Sequence, residues 1–431
     1  MTNTATSDWL DAHADELITR LAQLVRIPSV VGREQEAQAF MREAYTALGL
    51  EIDAFQPNRD ELLKLPAFVD SGFVFEGRQN VVGTWRGTGG GKSIILNGHT
   101  DVVSAEPVSA WTREPFGAAV VPSPSGVGRG RMYGRGTQDM KSGVIANLFA
   151  VKALMACGAR LRGDVILESV IEEEAGGGGG TLACFARGHV ADGMIATEPH
   201  WFDLTFAHPG ILYFRVVVDG KSAHAGRAHQ GVNAAVELAP IVSMLGDWDR
   251  ERAAALHYEP FERLDPAARR SCHLNVGVLR AGDWPSTVPG RAECEVRMSF
   301  IPGETEAGIK QEIANRVAEV ARKSAWLQAH PPRIEYFGWH TDPWIQDEHH
   351  EFLQAFLRSA KTQPGLPSIQ PMGITAGLDT RFAGLYGVPA FAWGPLGAGL
   401  HGADEWVDLD SVIACAKMLA RFLQDWCGVA E

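Results

Sequence analysis

Four short apolar runs in this chain each lead into a segment that carries a histidine or an acid, and that recurrence constrains the fold more than any other feature. Residues 93–96 lead into Asn97-Gly98-His99-Thr100-Asp101, 164–171 run into Glu172-Glu173-Glu174-Ala175-Gly176, 193–197 stop at Glu198, and 389–393 precede the loop with His401. Runs this short and this apolar read as buried strands. Between them lie helical patterns. Residues 139–157 repeat apolar side chains through Val144, Leu148, Val151 and Leu154, and 181–187 read as a further helix. A first helix is expected from an N-cap near Ser7 to just before Pro28, with Leu17, Leu21 and Leu24 on its apolar face. Such alternation predicts an α/β fold, a mostly parallel sheet flanked by helices. Sites in these sheets lie beyond the carboxyl ends of strands, where His99, Glu173, Glu174 and Glu198 fall.

The middle of the chain changes character. Strand patterns at 211–218, 273–279, 291–300 and 333–337, with helices at 233–247 and 305–326, give the order β-α-β-β-α-β of a split ferredoxin-like unit. This predicts an inserted domain. The expected division is 1–207 for the first part of a catalytic domain, 208–339 for the insert and 340–431 for the second part. A length of 431 residues independently suggests two domains.

A formal net charge of −13 argues against a nucleic-acid or anionic-membrane partner. The six cysteines form no C-x-x-C pair, which favours buried free thiols in a reducing compartment. The first thirty residues lack a basic segment followed by an apolar one, and no run of about eighteen apolar residues occurs anywhere. The cytoplasm is the expected location.

Two imidazoles and three carboxylates, from His99, Asp139, Glu174, Glu198 and His401, could hold two divalent ions, with Glu173 left over as a base. His99 and Asp101 stand two apart at a strand end, so both can face one side. A carboxylate on the second imidazole nitrogen fixes the tautomer of a metal-bound histidine. Asp139 follows Gly134-Arg135-Gly136 and precedes an apolar helix. It could cap that helix, and a sharply turned loop is also what a bridging carboxylate needs. Glu172, Glu173 and Glu174 repel one another, so burying them without cations is costly. Glu174 is the expected ligand, and Glu173 the expected general base that passes a water proton to the leaving nitrogen. His224, in Gly220-Lys221-Ser222-Ala223-His224-Ala225-Gly226, is a candidate donor to a developing oxyanion. Asn275 and Arg297, on two strands of the insert, are candidates for binding a substrate carbonyl or carboxylate. Trp284, Trp339 and Trp344 could line an aromatic pocket or simply pack. The run Gly176–Gly180 has no Lys-Ser or Lys-Thr after it, so it is not a phosphate loop but a close-packed turn.

These segments together resemble the M20 metallopeptidase family, in its acetylornithine deacetylase and succinyl-diaminopimelate desuccinylase branch. The resemblance runs along nearly the whole chain: NGHTDVV from Asn97, WTREPF from Trp111, GRMYGRGTQDMKSG from Gly130, EEEAGG from Glu172, ATEP from Ala196, GKSAHAG from Gly220, GVNA from Gly231, HLNVGVL from His273, TVPGRAECEVR from Thr287 and HGADEWV from His401. It implies a di-zinc exopeptidase-like catalytic domain, with cobalt a possible substitute. Asp139 would bridge the ions, His99 and Glu198 would complete one, and Glu174 and His401 the other. Asp101 would orient His99, and Glu173 would be the base. It implies a homodimer through the insert, which would act as lid and dimerisation domain and carry His224 to the partner's active site, with closure assembling the oxyanion site. Ser142, Ala228 and Ala281-Gly282 depart from frequent family residues without removing a chemical group.

The leading expectation is a zinc amidohydrolase that cleaves an acetyl, succinyl or formyl group from an amino acid or small amine. Alternatives are the deformylase of an N-formyl aminomethyl-pyrimidine in thiamin salvage, a dipeptidase or aminoacylase, and, from another class, a non-catalytic metal-binding scaffold. The presence of Glu173 speaks against the last.

Overall fold

The computed structural model describes residues 3–123, 126–200 and 202–430. The chain divides into two compact units. The first comprises Met1–Phe206, Gln346–Pro371 and Leu378–Glu431, and the second Ala207–Ile345 and Met372–Gly377. The second crossing therefore falls at 345/346 rather than 339/340, and a short return segment at 372–377 belongs with the insert.

In the first unit the strands Ile94–His99, Val165–Val170, Met194–Ala196 and Ala390–Ala392 are parallel neighbours at the centre of the main sheet. Glu51–Phe55, Asn80–Trp85 and Leu204–His208 pair antiparallel at the flanks. Every residue of Ile94–His99 and Val165–Val170 is buried. That explains their continuous rather than alternating apolar pattern. Side chains of consecutive strand residues point to opposite faces. The Gly98 face packs against Val144 and Met140, while Asn97 Nδ2 donates to Thr181 Oγ1 at 3.0 Å on the other. Helices Ser142–Ala156 and Thr181–Ala186 thus cover opposite faces, as the α/β reading requires. Ser142–Ala156 is buried nearly all round because helices Asn3–Ala12, Ala14–Val25 and Leu409–Cys427 also pack on it.

Two local expectations need correction. The N-terminal helix is two helices, interrupted at His13, whose ring stacks on Trp9 with centroids 3.7 Å apart and whose Nδ1 bonds to the Trp9 carbonyl oxygen at 2.8 Å. Ser7 therefore lies inside a helix and caps nothing. Asp139 does not open the following helix. It sits in an irregular turn with φ −109° and ψ 100°, and the helix starts at Ser142.

A small antiparallel sheet in the same unit orders Gly397–Ala398, Trp406–Asp408, Arg131–Tyr133 and Ala119–Val121. Trp406 pairs with Tyr133. The loop leaving Tyr133 and the loop entering Trp406 are therefore neighbours, although distant in sequence.

The second unit is the expected β-α-β-β-α-β. Its antiparallel sheet orders Leu274–Ala281, Arg291–Phe300, Gly210–Asp219 and Arg333–Tyr336. Ala234–Ala255, capped by Asn233, and Glu306–Ala321, capped by Thr305, form its helices. Leu212, Phe214, Val216, Leu238, Ile241, Val296 and Ile313 belong to one core under that sheet.

Candidate active site

Parallel register brings the acids together. His99 is level with Val170, and Asn97 with Ala196, so the residues that follow each strand emerge at one sheet edge. There His99 Nε2 lies 3.1 Å from Asp139 Oδ1 and 3.8 Å from Glu198 Oε1. His401 Nε2 lies 3.4 Å from Asp139 Oδ2 and 3.0 Å from Glu174 Oε2. Asp139 thus turns one oxygen to each imidazole. In both triplets, His99-Asp139-Glu198 and Asp139-Glu174-His401, the possible ligand atoms all lie within 4.8 Å of one another. Two donors each about 2.1 Å from a tetrahedral zinc sit roughly 3.4 Å apart, so these spacings suit a divalent ion in each triplet.

Glu173 Oε2 reaches to 4.0 Å from His99 Nε2 and belongs to neither triplet. Burial, then Asp379 and the neighbouring acids Glu198 and Glu174, raise its pKa well above the usual carboxylate value. Glu198 is raised in the same way, chiefly by burial. For His99, burial works against protonation, but the Asp139 hydrogen bond and the charges of Glu198, Asp101 and Glu173 outweigh it. His401, bonded to Asp139 and Glu174, is pushed up to about 11. Burial raises the acids and neighbouring carboxylates raise the histidines, so the site gathers negative charge that bound cations would offset.

Asp101 acts differently from expectation. The Nδ1 of His99 bonds to the main-chain oxygen of Asp101 at 2.9 Å, with the carboxylate farther off at 3.6 Å. That carboxylate instead accepts the backbone N–H groups of Glu173 at 3.3 Å and Glu174 at 3.1 Å. Residue 101 therefore fixes the imidazole and the acidic turn together. Glu172, whose side chain accepts from Ser71, belongs to neither triplet.

The glycine run is a close-packed turn, as its sequence predicts. Gly177 has φ +70°, and a Cβ there would lie 2.0 Å from Asp379 Oδ1. Arg381 donates Nη2 to the Gly176 carbonyl oxygen and Nη1 to that of Leu378 at 2.7 Å. Asp379, Arg381 and the buried Glu405 are the residues that sequence reasoning missed. Glu405 had a visible signal, an acid four residues after His401. Asp379 and Arg381 had none.

In the second unit His224 is exposed, and its Nδ1 accepts from Gly226 N at 3.0 Å. Asn275 and Arg297 stand directly opposite each other in the ladder, on the face away from the unit's core, and Arg297 Nη2 donates to Thr375 O at 3.3 Å. Trp344 is buried against His208 and Trp339 packs over Gly377, whereas Trp284 is 67% exposed.

A largely parallel sheet presenting two acid–histidine triplets around one shared carboxylate, with a further half-buried glutamate beside them, fits a hydrolase able to hold divalent metal ions. The chain belongs to peptidase family M20/M25/M40, whose model matches residues 95–425. It is 25% identical to the N-formyl-4-amino-5-aminomethyl-2-methylpyrimidine deformylase of Halalkalibacterium halodurans, over 98% of this chain and 97% of that one. It is 27% identical to the succinyl-diaminopimelate desuccinylase of Gluconacetobacter diazotrophicus, over 95% and 97%. The dipeptidase Dug1p of Saccharomyces cerevisiae shares the fold with a TM-score of 0.75 at 16% identity, over 100% of this chain and 99% of that one.

Proposed function

We propose that this amidohydrolase removes a short acyl group from a small amine, using two zinc ions per subunit, with cobalt able to substitute. His99 and Glu198 would hold one ion, Glu174 and His401 the other, and Asp139 would bridge them. The carrying observation is the split carboxylate of Asp139, one oxygen facing each histidine. The ions would supply Lewis acidity toward the acyl oxygen and the attacking water. Glu173, beside His99 but in neither triplet, takes the water's proton and delivers it to the leaving nitrogen. Asp101 holds the turn that aims Glu173. His224 donates to the developing oxyanion, and Asn275 and Arg297 bind the substrate's polar end.

A formyl amide of an aminomethyl-pyrimidine is the first substrate to assay, because the deformylase relative matches end to end. Succinyl-diaminopimelate is the second, on the desuccinylase match. We place the enzyme in the cytoplasm as a homodimer joined through the inserted domain. All six cysteines are free thiols, and among the described residues no helix is long and apolar enough to cross a membrane.

The test is amine release by zinc-loaded protein across N-formyl, N-acetyl and N-succinyl substrates and dipeptides. The expected result is one dominant acyl substrate whose turnover stops on chelation and returns with zinc. Turnover of dipeptides alone would contradict the acyl-amine reading, and silence across the panel from metal-loaded protein would contradict it altogether.

A further inference from the structure

Glu405 is fully buried beside the two triplets, yet neither of its oxygens faces a histidine. Its Oε1 accepts from the backbone N–H groups of Gln138 at 2.9 Å and Asp139 at 3.1 Å. Its Oε2 accepts from Gly136 N at 3.0 Å and Arg135 Nη1 at 2.6 Å. A carboxylate offers about four lone-pair positions. All four are used, so none remains for a metal ion. Arg135 returns to the other loop through Nη2, which donates to Gly402 O at 2.9 Å, and Gly134 N donates to the Glu405 main-chain oxygen at 2.9 Å.

We infer that Glu405 is a positioning residue of the metal centre: it ligates nothing, but locks the loop of Asp139 to the loop of His401. The inference rests on the proposed reading of Asp139 and His401 as ligands. Asp139 and Met140 have non-helical dihedrals, so no regular ladder holds the Asp139 carboxylate between its two histidines. The Glu405 side chain takes that part, gathering three backbone donors of residues 136–139 that would otherwise be buried and unpaired. Glutamine is no substitute. It offers one acceptor oxygen, and its NH₂ would face N–H donors.

The test is a Co²⁺ titration of the full-length protein, followed by the visible d–d absorption and by calorimetry, in wild type and Glu405→Gln, with far-UV circular dichroism as the check on folding. Wild type is expected to bind two ions. Glu405→Gln, folded, is expected to bind both about 10- to 100-fold more weakly, as is usual when a group behind a metal ligand is lost. A folded Glu405→Gln with wild-type affinities and an unchanged spectrum overturns the inference while leaving the ligand assignment standing. Wild-type protein that takes up no ion overturns the ligand assignment, and the inference with it. Should Glu405→Gln fail to fold, Arg135→Met goes through the same titration: weaker binding of both ions supports the positioning role, and unchanged binding overturns it.

Discussion

Glu168 shows how far one buried residue can depart from its ordinary chemistry. It lies mid-strand and fully buried, and among the described residues only Asn97 Nδ2 donates to it, at 2.8 Å. Burial, with a contribution from Asp379, raises its pKa from 4.5 to about 8. The folded state therefore prefers it protonated, while the unfolded chain ionises it near 4.5. Its effect on stability is neutral below that value, and grows unfavourable as pH rises toward 8, by at most about 1.4 kcal/mol per pH unit. Glu168→Gln keeps an acceptor for Asn97 and removes the titration. The variant should gain thermal stability over wild type, by more at pH 8 than at pH 5. A gap in melting temperature independent of pH would contradict this. At the same scale, His99, Glu174, Glu198 and His401 stood out because each lies in a recognisable segment after an apolar run. The Asp101 carboxylate was half legible: its closeness to His99 follows from spacing, but its bonds to the Glu173 and Glu174 amides depend on how the next strand ends. Glu405 acquires its partners only through the pairing of Trp406 with Tyr133, which no local pattern announces.

Elements, rather than side chains, set the distance between Asp139 and Glu198. A Cβ on Gly143 would sit 1.9 Å from the carbonyl oxygen of Thr197, so the helix after Asp139 runs directly against the strand end before Glu198. Lys141, buried, tethers the same region from the other side, through Nζ bonds to Leu24 O at 3.1 Å and Ile27 O at 2.8 Å. Gly143→Ala must push the helix from the strand, at a cost of about 1–3 kcal/mol. It should also spread the His99-Asp139-Glu198 triplet. Zinc should then raise the melting temperature less in Gly143→Ala than in wild type, because the stabilisation follows the ratio of free ion to dissociation constant. An equal rise would mean the contact is not what sets the triplet. The strands and the long helices were readable from apolar periodicity. The break at His13 and the irregular turn at Asp139 were not, because local hydrogen bonds and tertiary packing decide them, not periodicity.

For the whole molecule, the alternation of strands and helices and the β-α-β-β-α-β order located both units from sequence. The brief return at 372–377 escaped notice because its residues carry no pattern of their own. The insert's edge strand Leu274–Ala281 leaves Leu279 61% exposed, and Trp284 follows it, also exposed. An open edge bearing apolar side chains favours pairing with another strand. Sedimentation should give twice the mass of the chain, and Leu279→Glu with Trp284→Glu should shift it to the monomer. If His224 serves the partner's site, as the family resemblance implies, that monomer should keep its metal and lose most of its turnover. A fully active monomer would show that His224 does not serve the partner's site.

The measurement closest to the central claim compares wild type with Glu173→Gln at matched zinc content, on the best substrate of the acyl panel. The amide cannot accept the water proton, so the variant should hold both zinc ions, keep its melting temperature, and lose turnover by at least about 100-fold. Turnover within a few-fold of wild type at equal zinc would show that the proton goes elsewhere, and that Glu173 is not the base.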